Sequence, residues 1–291
     1  MFTTNVLIQV LLGGLLTGSV YSLIAIGFTL IYGVLDVVNF AHGHFVMAAM
    51  FVTYLLFTHF GVDVYLGLVI IIPLFFGIGL LVYRILISKI ALSAHSTQMM
   101  VTLGLFIFLE NLANFIFGGD LRSITTSDTA RSIVFGGISL PISRALAAGI
   151  SLLAVLLVSL FLTHTPFGMA MRAAATNRVG AHVVGIRVDT VYKMTFALGT
   201  MLAAIAGTVA MPFMLVSPFA GAEFMLYSFA IAIIGGLGSI SGALLAGLLI
   251  GVVQAAASLL FAASVGNATV FVILILVLVF RPTGLLGRAQ A

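Results

Sequence analysis

Residues 33–43 read "GVLDVVNFAHG", and His44 follows. An acid (Asp36), an amide (Asn39) and two imidazoles (His42, His44) stand between "GGLLTGSVYSLIAIGFTLIY" and "MAAMFVTYLLF", both almost purely apolar. His42 and His44 are two apart, which puts them on different helix faces. No Cys and no nearby carboxylate cluster completes a shell, so a metal centre is not expected. No Ser sits in a G-x-S-x-G elbow, and "GGLGSISG" at 235–242 lacks the lysine of a phosphate loop. Neither a nucleophilic triad nor ATP binding by this chain is therefore expected. Asp36 and Asn39 are three apart, and Asn39 and Gly43 four apart, so they can share one helical face. A second polar set is Glu110, Asn111 and Asn114 near the end of the apolar run 98–117. Glu110 and Asn114 are four apart, and the cost of a charge in lipid turns their face inward. That face serves either an interhelical hydrogen bond or a pathway lining. Glu223 follows "VSPFAGA" at the start of another apolar run, where an acid suits a helix N-terminus.

The groups above are rare exceptions in their surroundings. The 291 residues are 63% hydrophobic and 6% charged, with a mean hydropathy of +1.34. Soluble domains carry roughly 25% charged residues, so this chain has too little charge to cover a water-facing surface. A bilayer core about 30 Å thick needs roughly 20 apolar residues per helix. "FVILILVLVF" does not alternate as a barrel strand would. The composition therefore predicts an all-α polytopic membrane protein. The net charge of +4 falls in a few loops without interleaved aromatics, so no nucleic-acid partner is expected. There is no cysteine, which excludes disulfides and thiolate metal sites. "MFTTN" has no basic n-region, so the first apolar run reads as a retained helix.

Apolar runs lie at about 6–31, 45–60, 64–87, 98–117, 145–163, 194–216, 224–236, 240–262 and 267–280. The reading adopted is about eight transmembrane helices plus a broken or re-entrant segment, the short 224–236 run leading into "GGLGSISG". Irregular backbone at depth requires a covering of protein or a cavity. Basic residues concentrate in three places: Arg84, Lys89 and His95; Arg172, Arg178, Arg187 and Lys193 within 164–193; and Arg281 with Arg288 in the tail. All three read as cytoplasmic, and the mixed loop 118–144 as external. The C-terminus is thus expected inside. Residues 1–291 read as one transmembrane domain with no soluble domain.

Small residues recur every fourth position at Ala243, Gly247, Gly251 and Ala255, with Gly238 and Gly242 as another pair. Such spacing lets helix backbones approach closely, either within the chain or at a dimer face. In 164–193, Ala173, Ala174, Ala175 and Ala181 favour helix. Gly180 reads as an interruption, and Gly185 with Ile186 as its end. A short amphipathic helix carrying Arg172 and Arg178 suits either docking onto a partner or a basic loop held by anionic headgroups.

Several stretches resemble one family. "GFTLIYGVLDVVNFAHG" (27–43) looks like the signature near the start of LivH-type permeases, the membrane subunits of branched-chain amino acid ABC importers. "MRAAATNRVGAHVVGIRVDTVYKMTFALGTMLAAIAGTVA" (171–210) resembles their cytoplasmic coupling region and the helix after it. "FAIAIIGGLGSISGALLAGLLIGVVQ" (229–254) resembles their late Gly-rich segment, and "VFRPTGLLGR" (279–288) their usual end. The resemblance implies a permease in the bacterial inner membrane. Its partners would be a second permease subunit (a sister chain or a second copy), two cytoplasmic ATPase subunits and a periplasmic binding protein that delivers substrate. No cofactor is implied. The coupling region, about 164–193, would meet the ATPase through Arg172, Ala175, Asn177, Arg178, Gly180, Ala181, Gly185 and Ile186. Asn177 stands where relatives commonly carry an acid.

A broken polar stretch at depth is where transporters place pathway groups. The candidates for the path or its gate are Asp36, Asn39, His42, Glu110 and Asn114. The other reading of 36–44 is a buried network that fixes the helix break. The sequence thus points to a non-enzymatic transport subunit for branched-chain amino acids, with hydrolysis in separate chains. Urea or short-chain amides are the alternative cargo. A secondary transporter with Asp36 and Glu110 as coupling acids is the alternative of another class.

Overall fold

The computed structural model describes residues 4–126, 129 and 131–287. Each of the nine apolar stretches is a helix. They are α1 (Thr4–Leu35), α2 (His42–Phe60), α3 (Val64–Val82), α5 (His95–Phe117), α6 (Ile142–His164), α9 (Val188–Ala210), α10 (Ala220–Gly235), α11 (Ile240–Leu260) and α12 (Ala263–Phe280). A π turn, Tyr83–Ile87, and α4 (Ser88–Ile90) extend α3. Two short helices, α7 (Pro166–Thr176) and α8 (Arg178–Val183), lie between α6 and α9. The remaining elements are a two-stranded antiparallel hairpin, β1 (Ser132–Phe135) and β2 (Ile138–Pro141), pairing Ser132 with Pro141. Among the described residues seven helices are long and apolar enough to cross a membrane, and Ala220–Gly235 and Ser264–Phe280 are shorter apolar helices. The protein is an all-α multi-span membrane protein.

The helix ends follow local chemistry. Asp63 caps α3 by accepting from the Tyr65 and Leu66 amides at 2.9 and 3.3 Å. Thr165 caps α7 through the Gly168 amide at 3.0 Å, with Pro166 at the first helical position. The helix expected over 194–216 instead spans Val188–Ala210. Its first turn contains Asp189, which apolar counting skipped. That carboxylate accepts a 2.8 Å hydrogen bond from the Tyr83 hydroxyl, tying the base of α9 to the π turn. Residues 235–242 form a tight reversal, with Gly236 and Gly238 at positive φ and Ser239 capping α11.

The centre of the bundle is α1 and α9. α1 lies along α11, where Gly18 of α1 and Gly247 of α11 meet backbone to backbone, and Gly14 meets Gly251 likewise. The small-residue repeat of α11 is therefore used within the chain rather than at a dimer face. The Ser22 hydroxyl bonds Leu244 O at 2.9 Å across the same seam. The three basic segments gather at one end of the bundle. Arg178 shares one cavity with Ala91 and Asp36, and Leu286 of the tail shares another with Arg172. Arg288 lies outside the described residues. The opposite end carries the β1–β2 hairpin and a bridge between Arg122 and Val216.

Candidate transport and coupling sites

Residues 36–41 are not helical, so the shared helical face expected for Asp36, Asn39 and Gly43 does not exist. α1 stops because Asp36 turns left-handed, at φ +56°, the one non-glycine residue with positive φ among the described residues. Asp tolerates that region better than most residues, through its short polar side chain. The chain then folds back along α1. The Asn39 side chain accepts from the Ala41 amide at 3.1 Å, and its carbonyl accepts from the His42 amide at 3.1 Å. His42 Nε2 donates to Ile24 O at 3.0 Å, about 16 Å back along α1 from its Leu35 end. α2 therefore begins inside the bundle.

The four polar residues have separate tasks. Asn39, His42 and His44 are fully buried. Asp36 is not: its side chain is 70% exposed and lies 3.7 Å from His95, in a cavity of about 440 Å³ at the basic end. Its place is a turn at the end of α1 rather than a group at depth. His44 presses against Gly221 of α10, meets Phe106 edge-on at 4.1 Å between centroids, and donates from Nε2 to Glu110 Oε2 at 3.4 Å. This joins α2, α5 and α10 at one point. Thr102 of α5 adds a 3.1 Å hydrogen bond to Val38 O within the break.

The inward face expected for Glu110 and Asn114 is only half realised. The buried stripe of α5 is Gln98, Thr102, Leu105 and Ala113, spaced by three, four or eight. Glu110 and Asn114 sit one position off that stripe. The longer glutamate side chain reaches back to His44, whereas Asn114 stays exposed. Asn111 bonds its own helix at Ile107 O, 2.8 Å away. Glu223, in the first turn of α10, makes no capping hydrogen bond and accepts from the Tyr227 hydroxyl at 3.1 Å.

The basic loop is a helix–turn–helix. The interruption falls at Asn177 rather than Gly180, so Arg172 and Arg178 sit on different helices, α7 and α8. Asn177 ends α7 through a bond from its amide to Ala173 O at 2.9 Å. Its side chain then caps α8 by accepting from the Gly180 amide at 2.8 Å. Asn and Asp are equivalent N-caps, so asparagine at this position keeps the turn. Asn177→Asp should leave the stability of α8 unchanged, and Asn177→Ala should cost it about 0.5–2 kcal/mol. Amide exchange across 178–183 measures both.

Gly185, at φ +87°, ends the motif, and the Ile186 amide bonds Ala181 O at 3.0 Å. Arg178 lies over the Tyr192 ring at 5.8 Å. Arg172, Ala175 and Asn177 are exposed. Ala181 is 4% exposed and packs into the chain's own core, which corrects its expected place on a docking surface. The exposed apolar groups of α8 and its C-terminal end are instead Val179, Val183 and Val184, at 73%, 80% and 75%. Sequence reading passed over them because valines in an apolar chain look ordinary. The available signal was their position between basic residues and outside every spanning run.

Comparison with known proteins bears on this architecture as a whole. Residues 10–280 match the sequence profile described as "Branched-chain amino acid transport system / permease component". The chain is 30% identical to LivH, the high-affinity branched-chain amino acid transport system permease protein of Escherichia coli strain K12, over 97% of this chain and 96% of that protein. It is equally 30% identical, with the same coverages, to BraD, the corresponding permease protein of Pseudomonas aeruginosa. Among solved structures, PsaBC from Streptococcus pneumoniae in complex with Fab contains a chain of the same fold. Its TM-score is 0.52 at 15% identity, over 93% of this chain and 91% of that one. A profile match across the whole bundle and relatives matched nearly end to end lead to one statement: this chain belongs to the family of permease components of branched-chain amino acid transport systems.

Proposed function

We propose that the protein is the permease subunit of an ABC importer that passes branched-chain amino acids across the bacterial inner membrane. It works with a second permease subunit, two cytoplasmic ATPase subunits and a periplasmic binding protein. The relatives' names support the cargo. The observation that carries the mechanism is the α7–α8 pair, which presents Val179 and Val183, four residues apart on one face of α8, outside the spanning helices. Exposed valines beside Arg172 and Arg178 fit a docking knob for a soluble partner better than a loop held by headgroups. The basic residues gathered at this end support a cytoplasmic location for it and for the C-terminus.

The chain contributes the path and the docking element; hydrolysis belongs to the partner. α2 and α10 meet at Gly43, His44 and Gly221, with His44–Glu110 holding α5 to that crossing. We assign Asn39, His42, His44 and Glu110 to fixing this crossing beside the path, and Asp36 to the turn that joins it to the docking end. Affinity capture of the tagged chain from its native membrane tests the assembly. Two ATPase polypeptides should co-purify, and a chain that purifies alone yet transports by an ion gradient would replace this reading with a secondary transporter.

A further inference from the structure

At the end of the bundle opposite α7–α8, a cavity of about 630 Å³ opens between α1, α6 and α11. Its walls include Tyr21, Arg144, Phe213, Met214, Gln254 and Leu259. We propose that this cavity receives an aliphatic α-amino acid as a zwitterion, with Arg144 taking the carboxylate. The inference rests on the transport reading above and adds the residues that meet the cargo.

Arg144 is the cation of this cavity. It stands in the first turn of α6, where the helix dipole disfavours positive charge, on a helix apolar enough to span a membrane. Arg144 is half-buried there, where the external loop enters α6. Among the described residues the ion pairs are His44–Glu110, His95–Asp36 and Arg122–Asp120, so Arg144 has no carboxylate partner. Its guanidinium is held nonetheless. The carbon Cζ lies 5.8 Å from the Phe213 ring centroid. An added Cβ on Gly13 would sit 3.8 Å from Nη1, so the group lies against α1. A planar fork fixed in this way matches a carboxylate.

Gln254 supplies complementary chemistry. Its Nε2 donates to Asn267 Oδ1 at 2.8 Å and to the Tyr227 hydroxyl at 3.4 Å. The Tyr21 side chain on the same wall also hydrogen-bonds Gln254, so amide and hydroxyl together form the polar wall offered to an ammonium group. Tyr227 in turn donates to Glu223, so negative charge stands behind the amide. Phe213, Met214 and Leu259 provide an apolar wall for a branched side chain. A pocket of this kind, mostly apolar with a few convergent polar groups, is the usual form of a small-ligand site.

The test is equilibrium binding of radiolabelled leucine to the full chain in nanodiscs, beside ATP-driven leucine uptake by the complete assembly. Isovalerate carries only the carboxylate and isoamylamine only the ammonium, so each should compete at least about tenfold more weakly than leucine. Arg144→Gln should weaken leucine binding by about tenfold or more, and Arg144→Lys by less, because a point charge remains. Size exclusion of both variants reports their folding. Leucine binding by Arg144→Gln within twofold of the wild type, with uptake intact, would overturn this site and leave the transport reading standing. Competition by either half-ligand equal to that of leucine would also overturn it. A wild-type assembly that carries no leucine would overturn the transport reading itself and this site with it.

Discussion

Gly43→Ala is expected to remove most of the folded protein. A Cβ at Gly43 would fall on the backbone of Gly221 and Met225 in α10, leaving no flexible side chain to give way. Alanine in place of glycine in a helix gains about 1 kcal/mol of intrinsic propensity. Overpacking typically costs about 1–3 kcal/mol and occasionally more, and here two helices must part to relieve it. The clash therefore outweighs the propensity. Parting α2 from α10 also draws His44 off Gly221 and Glu110, so the damage spreads to α5. Gly104→Ala on α5 is the control, because an added Cβ there meets nothing within 4 Å. Detergent-extracted chain eluting as a single species should fall several-fold for Gly43→Ala and hold or rise for Gly104→Ala. Equal yields would show that α2 and α10 do not cross as described.

The second large effect concerns α8. Val183 is 80% exposed, so Val183→Asp should leave the chain folded and inserted. In the docked assembly the same aspartate would be a buried charge without a partner, which costs several kcal/mol. ATPase capture and uptake should then each fall roughly tenfold or more. Ala181→Asp differs by two residues and should behave oppositely. Ala181 packs inside the chain, so the acid should lower the yield of folded protein before any question of docking arises. Uptake by Val183→Asp at the wild-type level would remove α8 from the interface.

These contrasts show where the sequence was readable. All nine apolar runs are helices, because about 20 apolar residues in lipid have few alternatives. The polar stretch 36–44 does mark a break. Its internal arrangement was hidden for two reasons. A 3.6-residue period assumes a helix that Asp36 ends, and the partner of His44 lies 66 residues away on α5. Glu110 and Asn114 share a face by spacing, yet only the longer side chain reaches the core. Ala181 and Val183 show the same limit: the helical character of the coupling region was legible in its alanines, but which face it buries depends on packing beneath it. Arg144 lay in a loop-like "LPISR", and nothing short of the folded cavity marks it as unpaired.

An ATP-driven importer with this chain as its membrane path is the proposed machine. Its most direct test is leucine uptake into proteoliposomes holding the complete assembly, with the binding protein outside and ATP inside, on the side of α7 and α8. Accumulation against a gradient that requires ATP, the binding protein and this chain together is expected. Accumulation by this chain alone, driven by an ion gradient and indifferent to ATP, would contradict it.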